Sequence, residues 1–292
     1  MMRLFGRLAD AWIGRWANPA PDALAAVAGL QPATIVTGGS AGIGRAIAQH
    51  FAEQGHTVVL IARRADPLEA TAAILRQTTS AKIVTLALDV TDAGATAALD
   101  QTLAQHGLYA DVLVNSAGIG LAGEFTSHAP DDIDRLVALN VAALTRLMRH
   151  VLPGMCARAR GGVINIASLG GYVPGPYQAA YYASKAYVLS LTEAAGYEIA
   201  GRGVRVLVVA PGPVETRFHA LMDSEQALYR HLIPALSPER VARATCRAYA
   251  LGRRVVVPGF FNPFLALAVR ILPHPIIVPF IGWLLAPRRE DG

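Results

Sequence analysis

The run Ala33-Thr34-Ile35-Val36-Thr37-Gly38-Gly39-Ser40-Ala41-Gly42-Ile43-Gly44 carries a β-branched strand straight into a glycine-rich turn. The stretch 43–54 that follows reads as a helix. Glycine lets the backbone bend sharply and approach a ligand closely, and a helix start offers free N–H groups with a partial positive charge. Strand, turn and helix in that order suit a pyrophosphate. A glycine-rich turn alone is ordinary loop chemistry, so its neighbours carry the argument. The spacing is Gly-x-x-x-Gly-x-Gly rather than the commoner Gly-x-Gly-x-x-Gly.

Outward from this run, short apolar segments alternate with longer helical ones. Strands are predicted at 33–37, 57–61, 82–88, 111–114, 163–167, 204–209 and 254–257. Helices are predicted at 43–54, 67–77, 93–106, 130–155, 181–200 and 238–251. Continuous apolar strands separated by helices imply a parallel sheet covered on both faces, and right-handed crossovers make it doubly wound. The expected fold is α/β, a Rossmann-type sheet of about seven strands. It occupies 31–258 as a single domain, with an amphipathic extension over 1–30 and an apolar, proline-rich one over 259–292.

With 53% hydrophobic and 16% charged residues, the 292-residue chain has a core to bury and is not a disordered sequence. Its net charge is +5, but the arginines are scattered, without zinc-finger spacing or basic-aromatic interleaving, so no nucleic-acid partner is expected. Cys156 and Cys246 lie far apart, and no His/Cys/carboxylate cluster suggests a metal. With no signal-peptide pattern at the start, the expected location is cytoplasmic.

Only two lysines stand against twenty-four arginines, and one of them is in Tyr181-Tyr182-Ala183-Ser184-Lys185. At i and i+4 on a helix, Tyr181 and Lys185 share a face. A nearby ammonium favours phenolate and so draws a tyrosine toward general acid-base work. The plain alternative is a chance surface pair.

TGGSAGIG, Asn115-Ser116-Ala117-Gly118, Ser168, YYASK and Pro211-Gly212-Pro213-Val214-Glu215-Thr216 occur in one order. Together they resemble the short-chain dehydrogenase/reductase superfamily, over about 33–257. One departure is Ser116, where the family usually has a second Asn; serine keeps a hydrogen-bonding side chain. The resemblance implies a catalytic set of Asn140, Ser168, Tyr181 and Lys185. Tyr181 would exchange the proton, Lys185 would lower its pKa and hold the nicotinamide ribose, and Ser168 would orient the substrate oxygen. Asn140 would hold a water linking Lys185 to solvent. Implied cofactor contacts are Gly38, Ser40, Gly42, Ile43 and Gly44 in the first turn, and Asp89 with Val90 after the third strand. Asn115, Ala117 and Gly118 follow the fourth strand; Pro211, Gly212, Val214 and Thr216 follow the sixth; Tyr181 and Lys185 complete the contacts.

The second strand ends Ile61-Ala62-Arg63-Arg64, with no acid. An Asp or Glu there would bond a ribose 2′-hydroxyl, whereas Arg63 would pair with a 2′-phosphate, so the expected cofactor is NADP rather than NAD. Each residue has a plainer use. Arg63 and Arg64 can be solvated loop charges, Asp89 a helix cap, Ser168 a partner of its own turn, Asn140 a solvent-facing residue, Tyr182 a packing residue and 211–216 a common loop.

The expected function is a carbonyl reductase or alcohol dehydrogenase acting on a small, hydrophobic lipid, steroid or acyl substrate. A 3-oxoacyl-thioester reductase is the rival enzyme, and a catalytically silent NADP-binding regulator the rival of another class. The sequence points to an apolar flap over 217–236 carrying Phe218, Leu221, Met222, Leu228, Tyr229, Leu232 and Ile233. From 255 to 287 the only charge is Arg270, and five prolines divide the run, against a simple membrane span. In the N-terminal segment Phe5, Leu8, Trp12 and Trp16 share a helical face opposite Arg3, Arg7 and Asp10. With Arg288 and Arg289 at the other end, these segments suit a peripheral seat on the inner face of a membrane, bound from one side. Docking on the domain or on a second subunit of a homo-oligomer suits them as well.

Overall fold

The computed structural model describes residues 8–9, 11–14, 17–216, 218, 222, 229 and 234–286. Seven parallel strands form one sheet in the order β3-β2-β1-β4-β5-β6-β7. They are β1 Gln31–Thr37, β2 Thr57–Ala62, β3 Ile83–Ala87, β4 Leu108–Asn115, β5 Gly161–Ile166, β6 Val204–Val209 and β7 Val255–Val256. The order reverses between β1 and β4, and a doubly wound sheet opens its ligand crevice at such a point, beyond the strands' carboxyl ends.

Alternate side chains of each strand feed the two faces. Val36 and Leu60 meet helices α1 Gly42–Glu53 and α2 Ala65–Thr78, whereas Ile35 and Val59 meet α3 Ala95–Gln105 on the other side. The long helical region predicted at 130–155 is two helices, α4 Pro130–Val137 and α5 Leu144–Ala157, joined by a π turn at Ala138–Ala143. A π turn takes one more residue per hydrogen-bonded ring than an α-helix, and this one carries Asn140. Helix α6 Ala179–Glu198 follows β5, and α7 Pro238–Ala250 lies between β6 and β7.

After β7 the chain folds into two helices, α8 Asn262–Ile271 and α9 His274–Leu285. No described helix is long and apolar enough to cross a membrane. Asn262 donates to the Pro258 carbonyl at 2.6 Å, and a β-carbon added to Gly212 would meet its amide nitrogen at 2.9 Å, so the root of this hairpin sits on the loop after β6.

At the other end of the chain, Ile13 and Ala9 lie against Gly252, just before β7 begins. The two terminal segments therefore meet the chain at opposite ends of β7, Ile13 just before the strand starts and the hairpin beyond where it ends. Trp12 of the N-terminal segment is 72% exposed. Phe5, Trp16, Arg3, Arg7, Asp10, Arg288 and Arg289 lie outside the described residues, as do Leu221, Leu228, Leu232 and Ile233 of the flap.

Candidate active site

A crevice of about 1760 Å³ runs over the carboxyl ends of the strands, from Arg63 at one end to the α8–α9 hairpin at the other. Its first part is backbone. Gly38 has φ +67°, and a β-carbon on it would meet the Ala117 nitrogen at 2.9 Å. A β-carbon on Gly44 would meet the Gly38 carbonyl oxygen at 2.5 Å. The turn is thus pressed between helix α1 and the end of β4, where only hydrogen fits. The Thr37 hydroxyl reinforces it by accepting from the nitrogens of both Ser116 and Ala117, each at 3.1 Å. No side chain caps α1 and no acid occupies its first turn, so its N–H groups face the crevice with their partial positive charge unanswered.

Arg63 and Asp89 stand beside this turn, 3.8 Å apart. Asp89 is not a helix cap: its Oδ1 accepts from the Thr91 nitrogen at 2.9 Å and the Thr91 hydroxyl at 2.7 Å. Burial works to raise its pKa, but the Thr91 hydrogen bonds and the Arg63 charge bring it below the ordinary value. Arg63 itself is largely exposed and holds Asp89 only at long range.

The second part of the crevice is side-chain chemistry. Ser168, two residues beyond the end of β5, caps the short turn Leu169–Tyr172, accepting from the Gly170 nitrogen at 3.1 Å. That leaves its hydroxyl proton to donate, and it stands near enough to Tyr181 to favour the phenolate. Lys185 is only 6% exposed and donates to the Ile166 carbonyl at 2.9 Å. Its ammonium lies 5.7 Å from the centre of the Tyr181 ring. Burial depresses the Lys185 pKa to about 8. The Tyr181 pKa is raised rather than lowered, which corrects the expectation from Lys185. Burial of the phenol outweighs the opposing pull of Ser168, and Tyr229 adds to the rise. Tyr182 packs instead of reacting, its ring lying on Gly170 and Gly175, where a β-carbon would meet it at 2.9 and 2.4 Å.

Three expected site residues are not on the crevice wall. Gly44 sits beneath the turn, as its contact with Gly38 requires. The Asn115 side chain points into the sheet and donates to Asn165 Oδ1 at 2.9 Å; Asn165 in turn donates to Thr192. Asn140, 1% exposed, lies behind the wall. Its amide donates to the Ile119 carbonyl at 2.8 Å and to the Ser184 hydroxyl at 3.1 Å, while Ile119 nitrogen donates to its Oδ1 at 3.0 Å. Both amide hydrogens are taken, so the side chain clamps the main chain beside Gly118. Only the spare Oδ1 lone pair or the main chain remains to hold a water.

Two further walls line the crevice, the first from the flap expected over 217–236. Phe218 and Met222 close over Gly120, and the Phe218 ring lies 5.5 Å from that of Tyr181. Opposite them the hairpin contributes Leu265, Leu272, Ile276, Ile277, Phe280 and Leu284. Gln178, buried and three residues before Tyr181, also lines the crevice, and its Nε2 has no hydrogen-bond partner.

A parallel sheet with its crevice at the strand-order reversal, holding Ser, Tyr and Lys in this relation, defines a nucleotide-dependent oxidoreductase class. The chain belongs to the short-chain dehydrogenase family, whose model matches residues 32–227. It is 38% identical over 186 residues to the 2-(R)-hydroxypropyl-CoM dehydrogenase of Xanthobacter autotrophicus, covering 62% of this chain and 74% of that one. It is 35% identical over 235 residues to a 3-oxoacyl-acyl-carrier-protein reductase of Vibrio harveyi, covering 77% and 95%. Among solved structures, a short-chain dehydrogenase from Sphingobium yanoikuyae in complex with NADPH superposes with a TM-score of 0.72 at 30% identity, over 81% of this chain and 92% of that chain.

Proposed function

We propose that this oxidoreductase reduces the carbonyl of a hydrophobic small molecule with NADPH, or oxidises the corresponding secondary alcohol with NADP, using Tyr181 as the proton-exchanging group. The observation that carries the reading is the gathering of Ser168 and Tyr181 beside buried Lys185, at the apolar end of a crevice whose other end is a glycine cradle.

The cradle fits a dinucleotide. Its turn excludes even a β-carbon at Gly38 and Gly44, and the uncapped start of α1 suits a pyrophosphate. Ser40, Gly42 and Ile43 border the same turn; Asp89 and Val90 would flank the adenine, and Ala117 and Gly118 the middle of the molecule. Pro211, Gly212, Val214 and Thr216 would hold the carboxamide, with Tyr181 and Lys185 at the ribose. Arg63, exposed and with no acid at the end of β2, supports NADP over NAD. A nicotinamide bound there supplies the hydride.

The protein's own residues supply the proton and the orientation. Ser168, already accepting from Gly170, has a proton to donate to the substrate oxygen. A phenol whose pKa is held up stays protonated at neutral pH, so Tyr181 is set to give a proton to an oxygen gaining negative charge. Lys185, still largely protonated at neutral pH, keeps positive potential over the ring. Asn140 supports both by fixing the main chain at Ile119.

The Vibrio relative favours one second reading, reduction of a 3-oxoacyl thioester. Consumption of NADPH, followed by absorbance, over a panel of long-chain ketones, steroid ketones and 3-oxoacyl thioesters tests both. The leading reading expects turnover of free ketones with NADPH preferred to NADH. Turnover confined to thioesters selects the second, and no NADPH consumption with any of them rejects both.

A further inference from the structure

Helices α8 and α9 have two apolar sides. Inward, Leu265, Leu272, Ile276 and Phe280 line the crevice. Outward, Phe260, Phe264 and Ile271 are 79%, 65% and 70% exposed, and Leu267 and Trp283 are exposed with them. The four lining residues are themselves exposed, so the lip between the outer face and the crevice has no polar break. The hairpin is seated on the fold rather than hanging from it: Asn262 is wedged against Gly212, and a β-carbon on Gly282 would meet Pro176 at 3.3 Å. An apolar patch of this kind, continuous with a pocket, marks an interaction surface.

Charge and geometry select what covers it. The stretch 255–286 contains no acid, and its one charge is Arg270. A second copy docked by twofold symmetry would set this acid-free patch against itself, with Arg270, stacked over the Tyr172 ring of its own chain at 5.3 Å, gaining no partner from the patch opposite. It would also cover Leu265, Leu272, Ile276 and Phe280 and so shut the lip. A lipid layer covers the same side chains, meets Arg270 with anionic headgroups and leaves the lip open to whatever is dissolved in it. Inside the crevice, the unpartnered Nε2 of Gln178 independently points to a ligand that brings a hydrogen-bond acceptor close to Tyr181.

We infer that the α8–α9 hairpin rests in one leaflet of a membrane and admits an oxygen-bearing amphiphile from the acyl layer directly into the crevice. The identity of the passenger as a substrate rests on the oxidoreductase reading; the docking does not.

The test uses the full chain and a Phe264→Gln/Ile271→Gln double variant, both changes lying on the outer face and away from the crevice. Flotation with vesicles of phosphatidylcholine and phosphatidylglycerol reads docking. Turnover of a long-chain methyl ketone carried in those vesicles, against a short cyclic ketone in buffer, reads the portal. The native protein is expected to float, and the variant to lose vesicle binding by about tenfold or more. The variant should lose turnover of the vesicle-borne ketone in similar measure while keeping that of the short one. A native protein that stays in the soluble fraction overturns the docking, as does a native dimer that the double variant splits. Equal turnover of both ketones by a variant that no longer floats overturns the portal. A protein that floats but reduces neither ketone keeps its docking surface and loses the substrate reading.

Discussion

The two ends of the crevice are built from different materials. At the nucleotide end the wall is main chain, pressed so closely that Gly38 and Gly44 admit no β-carbon. At the far end the wall is a row of aliphatic and aromatic side chains from the flap and the hairpin. The first suits a fixed pattern of charge and hydrogen bonds, in which a displaced atom has no substitute. The second suits apolar shape, which many side chains can supply. On the proposed function, a common cofactor and a variable substrate call for such a division.

The largest effect should arise between the two ends. Tyr181→Phe keeps the ring and deletes the proton, so turnover should fall by ~10²–10⁴-fold with NADPH binding nearly intact. Native rates in the variant would place the proton elsewhere. Gly44→Ala comes next. Its new methyl group meets a carbonyl oxygen of the main chain, so the turn or the helix must move, at a cost of about 1–3 kcal/mol in stability and with weakened NADPH binding. Thermal melts with and without NADPH measure both. An alanine variant as stable and as tight as the native protein would mean that the cradle is not rigid.

Lys185 sharpens the contrast through pH. Burial takes its pKa from 10.5 to about 8. Between those values the unfolded chain holds a proton that the folded one has released, so this residue makes stability rise with pH across that window. The full effect is about 3 kcal/mol. Above about pH 10 the buried tyrosines act in the opposite sense, because their raised values make the unfolded chain lose protons first. Melting temperatures from pH 7.5 upward should therefore climb more steeply in the native protein than in Lys185→Met. Parallel curves would show that the ammonium is better solvated than its surroundings imply.

Arg63→Ala should weaken NADPH by about tenfold, the lower end for a charge-assisted contact because the side chain is exposed, and should leave NADH almost unchanged. Equal losses for both coenzymes would remove Arg63 from the 2′-phosphate. The smallest change belongs to the apolar wall. Leu272→Ala, at the open lip, should alter KM for a long-chain ketone by only a few-fold, because one truncated apolar contact is worth about 1–3 kcal/mol when fully buried and less here. A loss as large as that of Tyr181→Phe would erase the distinction between the two ends.

The order of strands and helices was legible because each buried strand is a short apolar run and each crossover a longer helical one. The grouping of Ser168, Tyr181 and Lys185 was legible because they stand at fixed separations, just past a strand and along a helix. The orientation of Asn115 was not, although a signal existed. Asn115 and Asn165 are polar residues at the apolar ends of their strands, and parallel pairing sets them side by side. Two such residues at one register satisfy each other more readily than they reach a ligand. The destination of the hairpin was not legible at all. Its composition announces an apolar surface, but nothing local in 259–286 states that the chain returns over the carboxyl ends of the strands. The rise in the Tyr181 pKa was missed for a related reason: a neighbouring lysine is visible in sequence, whereas the burial that outweighs it comes from distant segments.

The π turn at Ala138–Ala143 means that this stretch carries a surplus residue, in effect a retained insertion. Deleting Val141 would let 130–157 wind as an uninterrupted α-helix, an improvement by every local measure. It would also turn one half of the helix by about 100° relative to the other. Asn140 would then swing away from Ile119, or the apolar stripe of α5 would swing away from the sheet. Substitution at the exposed Ala142 disturbs neither, whereas losing one residue forces a choice between core and site. What this segment has to conserve is a count of residues as much as their identities.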